Sequence, residues 1–144
     1  MKMNCMVSGP VTMKEISVLY EKLRLNVTAG GHSVFMGQVR SDIVNGKKVR
    51  AIEYSAYETM LNAEADKIKK EILSEFVDTQ SVDILHSTGL VTTGELSLVV
   101  LVSAGHRKQA IEACSKTVEL IKQRLPVWKK EVYEDESHEW RQNH

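Results

Sequence analysis

Residues 95–104 are apolar almost without a break, with residues 96–102 reading Leu-Ser-Leu-Val-Val-Leu-Val. A strand of this composition has no polar face to turn toward water, so it belongs in the middle of a sheet with packing on both sides. It is also far too short to cross a bilayer. The next stretch of chain narrows the fold further. Ile111, Cys114, Val118, Ile121 and Leu125 recur at spacings of three and four, which predicts a helix with one buried stripe and Lys122 at its edge. Pro126 ends that helix, because it lacks an amide hydrogen and disfavours helical backbone in the residue before it. Residues 127–133 then read as a strand. Cations mark both ends of the helix: His106, Arg107 and Lys108 at its start, and Lys122, Arg124, Lys129 and Lys130 around its end. Basic residues at a helix C-terminus suit the helix dipole, so a core helix with solvated basic ends is the plain alternative to a binding site.

Upstream, a short segment at residues 4–7 precedes a helix. Thr12 with Glu15 makes a capping box for it, and Ile16, Leu19 and Leu23 supply its buried face. Residues 32–40 favour a strand, with Gly37 marking a bulge or a close backbone approach. Asn45-Gly46 signals a hairpin turn and residues 49–55 the return strand. Ser55 with Glu58 reads as a second capping box, followed by a helix on Tyr57, Leu61, Ala65, Ile68, Ile72 and Phe76. Its other face, with Glu64, Asp66, Lys67, Lys69, Lys70 and Glu71, reads as solvated. Residues 82–86 predict a strand joined to the apolar one through residues 89–94, and residues 134–144 an acidic, mobile end. Helices interspersed with antiparallel hairpins predict an α+β domain, with the helices packed on a mainly antiparallel mixed sheet.

The 144 residues amount to one domain, residues 1–144. Nineteen basic and nineteen acidic residues cancel, which argues against a general nucleic-acid binder and makes local clustering the informative quantity. Cys5 and Cys114 have no metal-ligand spacing and read as reduced, structural thiols. No signal-peptide pattern opens the chain, and a soluble, cytoplasmic protein is expected. No phosphate-binding glycine loop, dinucleotide fingerprint, nucleophile elbow or metal-spaced histidine pair occurs. His86, on a strand, reads as a structural histidine.

Several segments together resemble one family. Ser103-Ala104-Gly105-His106-Arg107, and then Lys122-Gln123-Arg124-Leu125-Pro126-Val127-Trp128-Lys129-Lys130-Glu131, are similar to the signature of the catalytic, large subunit of molybdopterin synthase, with Ile121 in place of a leucine. Phe35-Met36-Gly37-Gln38-Val39-Arg40 resembles that family's Phe-x-Gly-x-x-Arg strand. Glu53-Tyr54 with Tyr57 and Met60, and Gly89 with Gly94-Glu95, resemble two more of its segments. The resemblance covers about residues 30 to 140. It departs at Ser87, where the family has arginine after the histidine, so no cationic role carries over there. Family members also often continue beyond the tryptophan matched by Trp140.

The resemblance implies an α/β-hammerhead fold and a sulfurtransferase of molybdenum cofactor biosynthesis. Two sulfurs would pass from the C-terminal thiocarboxylate of a small ubiquitin-like partner, ending in Gly-Gly, to cyclic pyranopterin monophosphate, giving the dithiolene of molybdopterin. It implies Lys122 and Lys129 as catalytic residues, and Gln38, Val39, Arg40, His106, Arg107, Lys122, Lys129, Lys130 and Glu131 around the substrate. No metal and no resident cofactor are expected, since sulfur arrives with the partner. The residue types suit these demands: arginine grips phosphate through two parallel hydrogen bonds, and a lysine beside other cations, or partly desolvated, transfers protons nearer neutral pH. His106 and Lys122 are sixteen residues apart. A straight helix would separate them by roughly 24 Å, more than one pterin spans. A homodimer with shared sites, flanked by two partners as a heterotetramer, reconciles the two clusters. A non-catalytic phosphometabolite-binding module and a partner-binding module are the competing readings.

Overall fold

The computed structural model describes residues 4–142. Along the chain run β1 (Met6–Ser8), α1 (Met13–Leu23), β2 (Gly31–Gln38), β3 (Ile43–Val44), β4 (Lys47–Ser55), α2 (Glu58–Glu75), β5 (Thr79–Thr92), β6 (Leu96–Ala104), α3 (Arg107–Arg124), β7 (Trp128–Tyr133) and β8 (His138–Gln142). The sheet order is β2-β6-β5-β4-β7-β8, with β1 parallel to β5 and β3 antiparallel to β4. The remaining pairings are antiparallel. This is the expected α+β class, three helices on a mainly antiparallel sheet.

The apolar strand lies where its composition demands. β6 sits between β2 and β5, and its side chains feed two cores in alternation. Leu98, Val100 and Val102 pack with Leu61, Ile68 and Ile72 of α2 and Ile121 of α3. Val99 and Leu101 pack with Ile16 and Leu19 of α1. The Thr12–Glu15 capping box forms at the start of α1, the Thr12 amide donating to Glu15 Oε2 at 2.5 Å. At the β3–β4 turn Asn45 and Gly46 have φ of 53° and 77°, the left-handed pair that a two-residue hairpin turn requires. The register shift at Gly37–Gln38 is the expected bulge, and it closes β2 before Val39 and Arg40.

Four expectations are corrected. Ile111 is 58% exposed, and the buried face of α3 is instead Ala110, Ala113, Cys114, Thr117 and Ile121. Small residues bring the helix close to β2 and β6, and the Thr117 hydroxyl is satisfied by the Ala113 carbonyl at 2.6 Å. Ser55 does not cap α2: it ends β4 opposite Trp128, Tyr57 is the N-cap, and Glu58 accepts from Asn4 at 2.7 Å. Sheet pairing has displaced the local motif. Third, the strand expected at residues 82–86 is fourteen residues long. It leaves β6 after His86 and pairs with β4 from Gly89, whose φ of +85° allows the change of direction. Last, the acidic end folds back on the sheet: His138–Gln142 form β8, and Glu134, Asp135 and Glu136, in the turn before it, pair with Lys48, Lys47 and Arg50. The final two residues of that stretch lie outside the described ones. The solvated face of α2 also does more than meet water, because Glu64 and Glu71 both pair with Arg124 of α3.

Candidate functional site

A cleft of about 390 Å³ opens where the end of α3, the residues after β2 and the β4–β7–β8 ribbon converge. Alternation along β7 sends Lys129 and Glu131 to the cleft, beside Tyr54 of β4 and Arg141 of β8, which share their face by register. Lys122 enters from the last turn of α3, and Gln38, Val39 and Arg40 form the opposite wall. The structure therefore unites Gln38, Val39, Arg40, Lys122, Lys129 and Glu131.

Lys122 is the cleft lysine whose chemistry this setting changes. Burial lowers its pKa from the ordinary lysine value, and the neighbouring charge of Lys129 lowers it further. Glu131, only 8% exposed, is paired with the Arg141 guanidinium. The floor beneath is uncharged. The Tyr54 hydroxyl donates to Ser97 Oγ at 3.1 Å, and burial raises its pKa. Its ring meets His86 edge-on at 5.3 Å. His86 donates from Nδ1 to the Ser87 carbonyl at 2.8 Å, and burial above all, with Lys122 adding to it, depresses its pKa to about 4. A neutral histidine and a neutral phenol thus underlie the two lysines. Arg40 stays exposed at the rim, 3.4 Å from Asp42.

Three expected residues stand elsewhere. Lys130 points to the other face of β7, because neighbours along a strand alternate. Its ammonium lies 3.0 Å from Glu53 and 5.3 Å from the Trp140 ring centroid. His106 is the N-cap of α3 and Arg107 its first residue, both exposed and a full helix away from Lys122. Tyr54, Ser97 and Arg141 line the cleft without having been singled out as site residues. Period-two alternation through Lys129 and Glu131 was the signal that could have separated Lys130 and pointed to a partner strand. Nothing local marks Ser97, whose place depends on β6 pairing. No group of three or more His, Cys, Asp or Glu residues able to hold a metal occurs among the described residues, and no described helix is long and apolar enough to cross a membrane.

Comparison with known proteins gives a consistent picture. The family model described as MoaE protein matches residues 8–124. The chain is 40% identical over 118 residues to the molybdopterin synthase catalytic subunit of Dictyostelium discoideum, covering 81% of this chain and 74% of that one. It is 39% identical over 139 residues to the protein of that name from Drosophila willistoni, covering 96% of this chain but 36% of the relative. The chain thus spans about a third of the length of the fly relatives it matches. The X-ray structure of molybdopterin synthase from Staphylococcus aureus aligns with a TM-score of 0.85 at 31% identity, over 98% of both chains. A complex of subunits 1 and 2 of molybdopterin-converting factor from Helicobacter pylori shares the fold, with a TM-score of 0.76 at 22% identity over 90% of this chain and 84% of that one.

Proposed function

The chain belongs to the MoaE protein family, and from that premise we propose that it is the catalytic subunit of a molybdopterin synthase. Its reaction is the transfer of two sulfurs from the C-terminal thiocarboxylate of a small ubiquitin-like subunit to cyclic pyranopterin monophosphate. The observation that carries the assignment is the pairing of Lys122 with Lys129 in one cleft, where burial lowers the pKa of Lys122. Such a lysine is suited to proton transfer at the carbons that receive sulfur, while Lys129 and Arg40 attract the substrate's phosphate and the partner's anionic terminus. A Gly-Gly tail fits a narrow cleft, since without side chains its backbone can approach the walls closely. Glu131 and Arg141 brace the wall that holds Lys129. Sulfur enters with the partner, so the reading needs no resident cofactor. Buried, free Cys5 and Cys114 accord with a reducing, cytoplasmic location.

His106 and Arg107 join the site across a twofold homodimer, each subunit lending its α3 start to the Lys122 cleft of the other. Edge strand β2 leaves apolar side chains exposed on both of its faces, which supports such a contact. Val34, Phe35 and Met36 are 43%, 38% and 49% exposed there, and Ile111 of α3 stands close by. With one small partner per cleft the assembly is a heterotetramer. The function is tested by mixing the protein with thiocarboxylated partner and cyclic pyranopterin monophosphate and measuring the dithiolene as its oxidised fluorescent derivative. Product at a catalytic rate is expected. A stable complex without product would reduce the chain to a binding module.

A further inference from the structure

The short connection between α2 and β5 carries an aspartate whose every polar group is spent on the start of α3. The Asp78 amide donates to Gln109 Oε1 at 2.9 Å, and its carbonyl accepts from the Gly105 amide at 3.1 Å. One carboxylate oxygen, Oδ2, accepts the His106 amide at 2.8 Å and lies 3.1 Å from His106 Nδ1. Two glycines make room for this. A Cβ on Gly105 would sit 2.5 Å from Asp78 Oδ1, and one on Gly30 would sit 2.1 Å from the Gly105 carbonyl oxygen. The imidazole so held is 87% exposed. An exposed pair of this kind adds little to stability, and His106 makes no cap hydrogen bond with its own side chain. The construction does fix which way the ring faces.

We propose that Asp78 is a positioning residue, which holds His106 by Nδ1–H so that Nε2 faces outward toward the substrate phosphate in the shared site. This rests on the placement of His106 at the substrate under the proposed function. A carboxylate on one ring nitrogen keeps a proton there in the neutral and the cationic ring alike and so turns the other nitrogen outward. When the ring is cationic, Nε2–H becomes a directed donor to a phosphate oxygen beside Arg107. Freed from Asp78, the ring would rotate about χ1 and χ2, and the ordering would have to be supplied on binding.

The test is a set of steady-state measurements on the complex with its sulfur-carrying partner, varying cyclic pyranopterin monophosphate, for wild type, Asp78→Asn, His106→Ala and the double variant. Asp78→Asn keeps an acceptor oxygen where Oδ2 stands, so the His106 amide and the helix start are preserved, but it removes the negative charge that strengthens the bond from Nδ1–H and orders the ring. It should raise KM roughly three- to tenfold with kcat little changed, as expected for lost binding remote from the reacting carbons. His106→Ala should raise KM at least as much, and adding Asp78→Asn to it should change KM by no more than about twofold, because Asp78 acts through the ring. Nitrogen NMR of the free protein gives a readout that simple bracing would not move: His106 should be protonated at Nδ1 in wild type and lose that preference in Asp78→Ala. An impaired His106→Ala beside an unaffected Asp78→Asn overturns this proposal alone, as do additive effects in the double variant or unchanged ring nitrogen signals. A normal KM in His106→Ala overturns the placement of His106 at the substrate and this proposal with it.

Discussion

His86 should make the protein acid-labile by an amount that can be worked out from its surroundings. The ring is 2% exposed, and its pKa falls from the ordinary 6.5 to about 4. Between these values the unfolded chain takes up a proton that the folded chain refuses, so stability present above pH 6.5 is lost as pH falls toward 4. At 1.36 kcal/mol per pKa unit, the loss from this one group is about 2 kcal/mol at pH 5 and about 3 kcal/mol at pH 4. That is a large part of a typical folding free energy of about 5–15 kcal/mol. Glu15, Glu95 and Asp135, whose pKa values are lowered by hydrogen bonds to Thr12, Thr92 and Ser137, lose stability in the same direction, whereas half-buried Asp83, its pKa raised by desolvation, works against them. The decisive quantity is therefore a difference between two proteins. His86→Gln keeps an amide donor for the Ser87 carbonyl but does not titrate. Urea unfolding monitored by tryptophan fluorescence at pH 7 and pH 5 should show wild type losing about 2 kcal/mol more than His86→Gln over that interval. Equal losses in the two proteins would mean that folded His86 is protonated, and the uncharged floor beneath Lys122 would be wrong.

Lys122→Met should abolish dithiolene formation yet raise the melting temperature, because it removes both a desolvated ammonium and its repulsion from Lys129; a drop in melting temperature would show that Lys122 is structurally paired instead. Removing the last two residues of the small partner should weaken the complex by at least tenfold in calorimetry, the Gly-Gly tail being the part that enters the cleft; unchanged affinity would place the tail elsewhere. Phe35→Asp on the β2 edge should shift the protein to a monomer in analytical ultracentrifugation, since a charge in an apolar twofold contact is repeated twice; an unaltered dimer would move the interface off β2.

Features whose cause is local were legible in the sequence, and features whose cause is a distant strand were not. The Thr12–Glu15 box and the Asn45-Gly46 turn each depend on residues within four positions, and both form. β6 announced its central place by lacking a polar face. Ser55–Glu58 looks just as good a capping box, but β7 claims Ser55 for the sheet, and no local pattern reports that competition. Ile111 fits a helical stripe by spacing, yet the stripe is one step round, where Ala110, Ala113 and Thr117 permit close packing on β2 and β6. In the cleft, Lys122, Lys129, Arg40 and Glu131 stood out through family resemblance. Lys130 came with them through the same resemblance, and strand alternation turns its side chain to the other face of β7, beside Glu53. Ser97 and Arg141 reach the cleft through pairings with β5 and β7, and Asp78 reaches His106 across 28 positions. Such contacts carry no periodicity to read.

That the α3 start of one subunit completes the Lys122 cleft of the other is tested most directly by subunit complementation. Arg107→Ala and Lys122→Ala proteins, each nearly inactive alone, are mixed in equal amounts, allowed to exchange until mass spectrometry shows mixed dimers, and assayed for dithiolene formation with the thiocarboxylated partner. Activity should return to about a quarter of wild type, since half of the dimers are mixed and each of those retains one intact site of two. A mixture as inactive as its components, with exchange complete, would contradict the shared site.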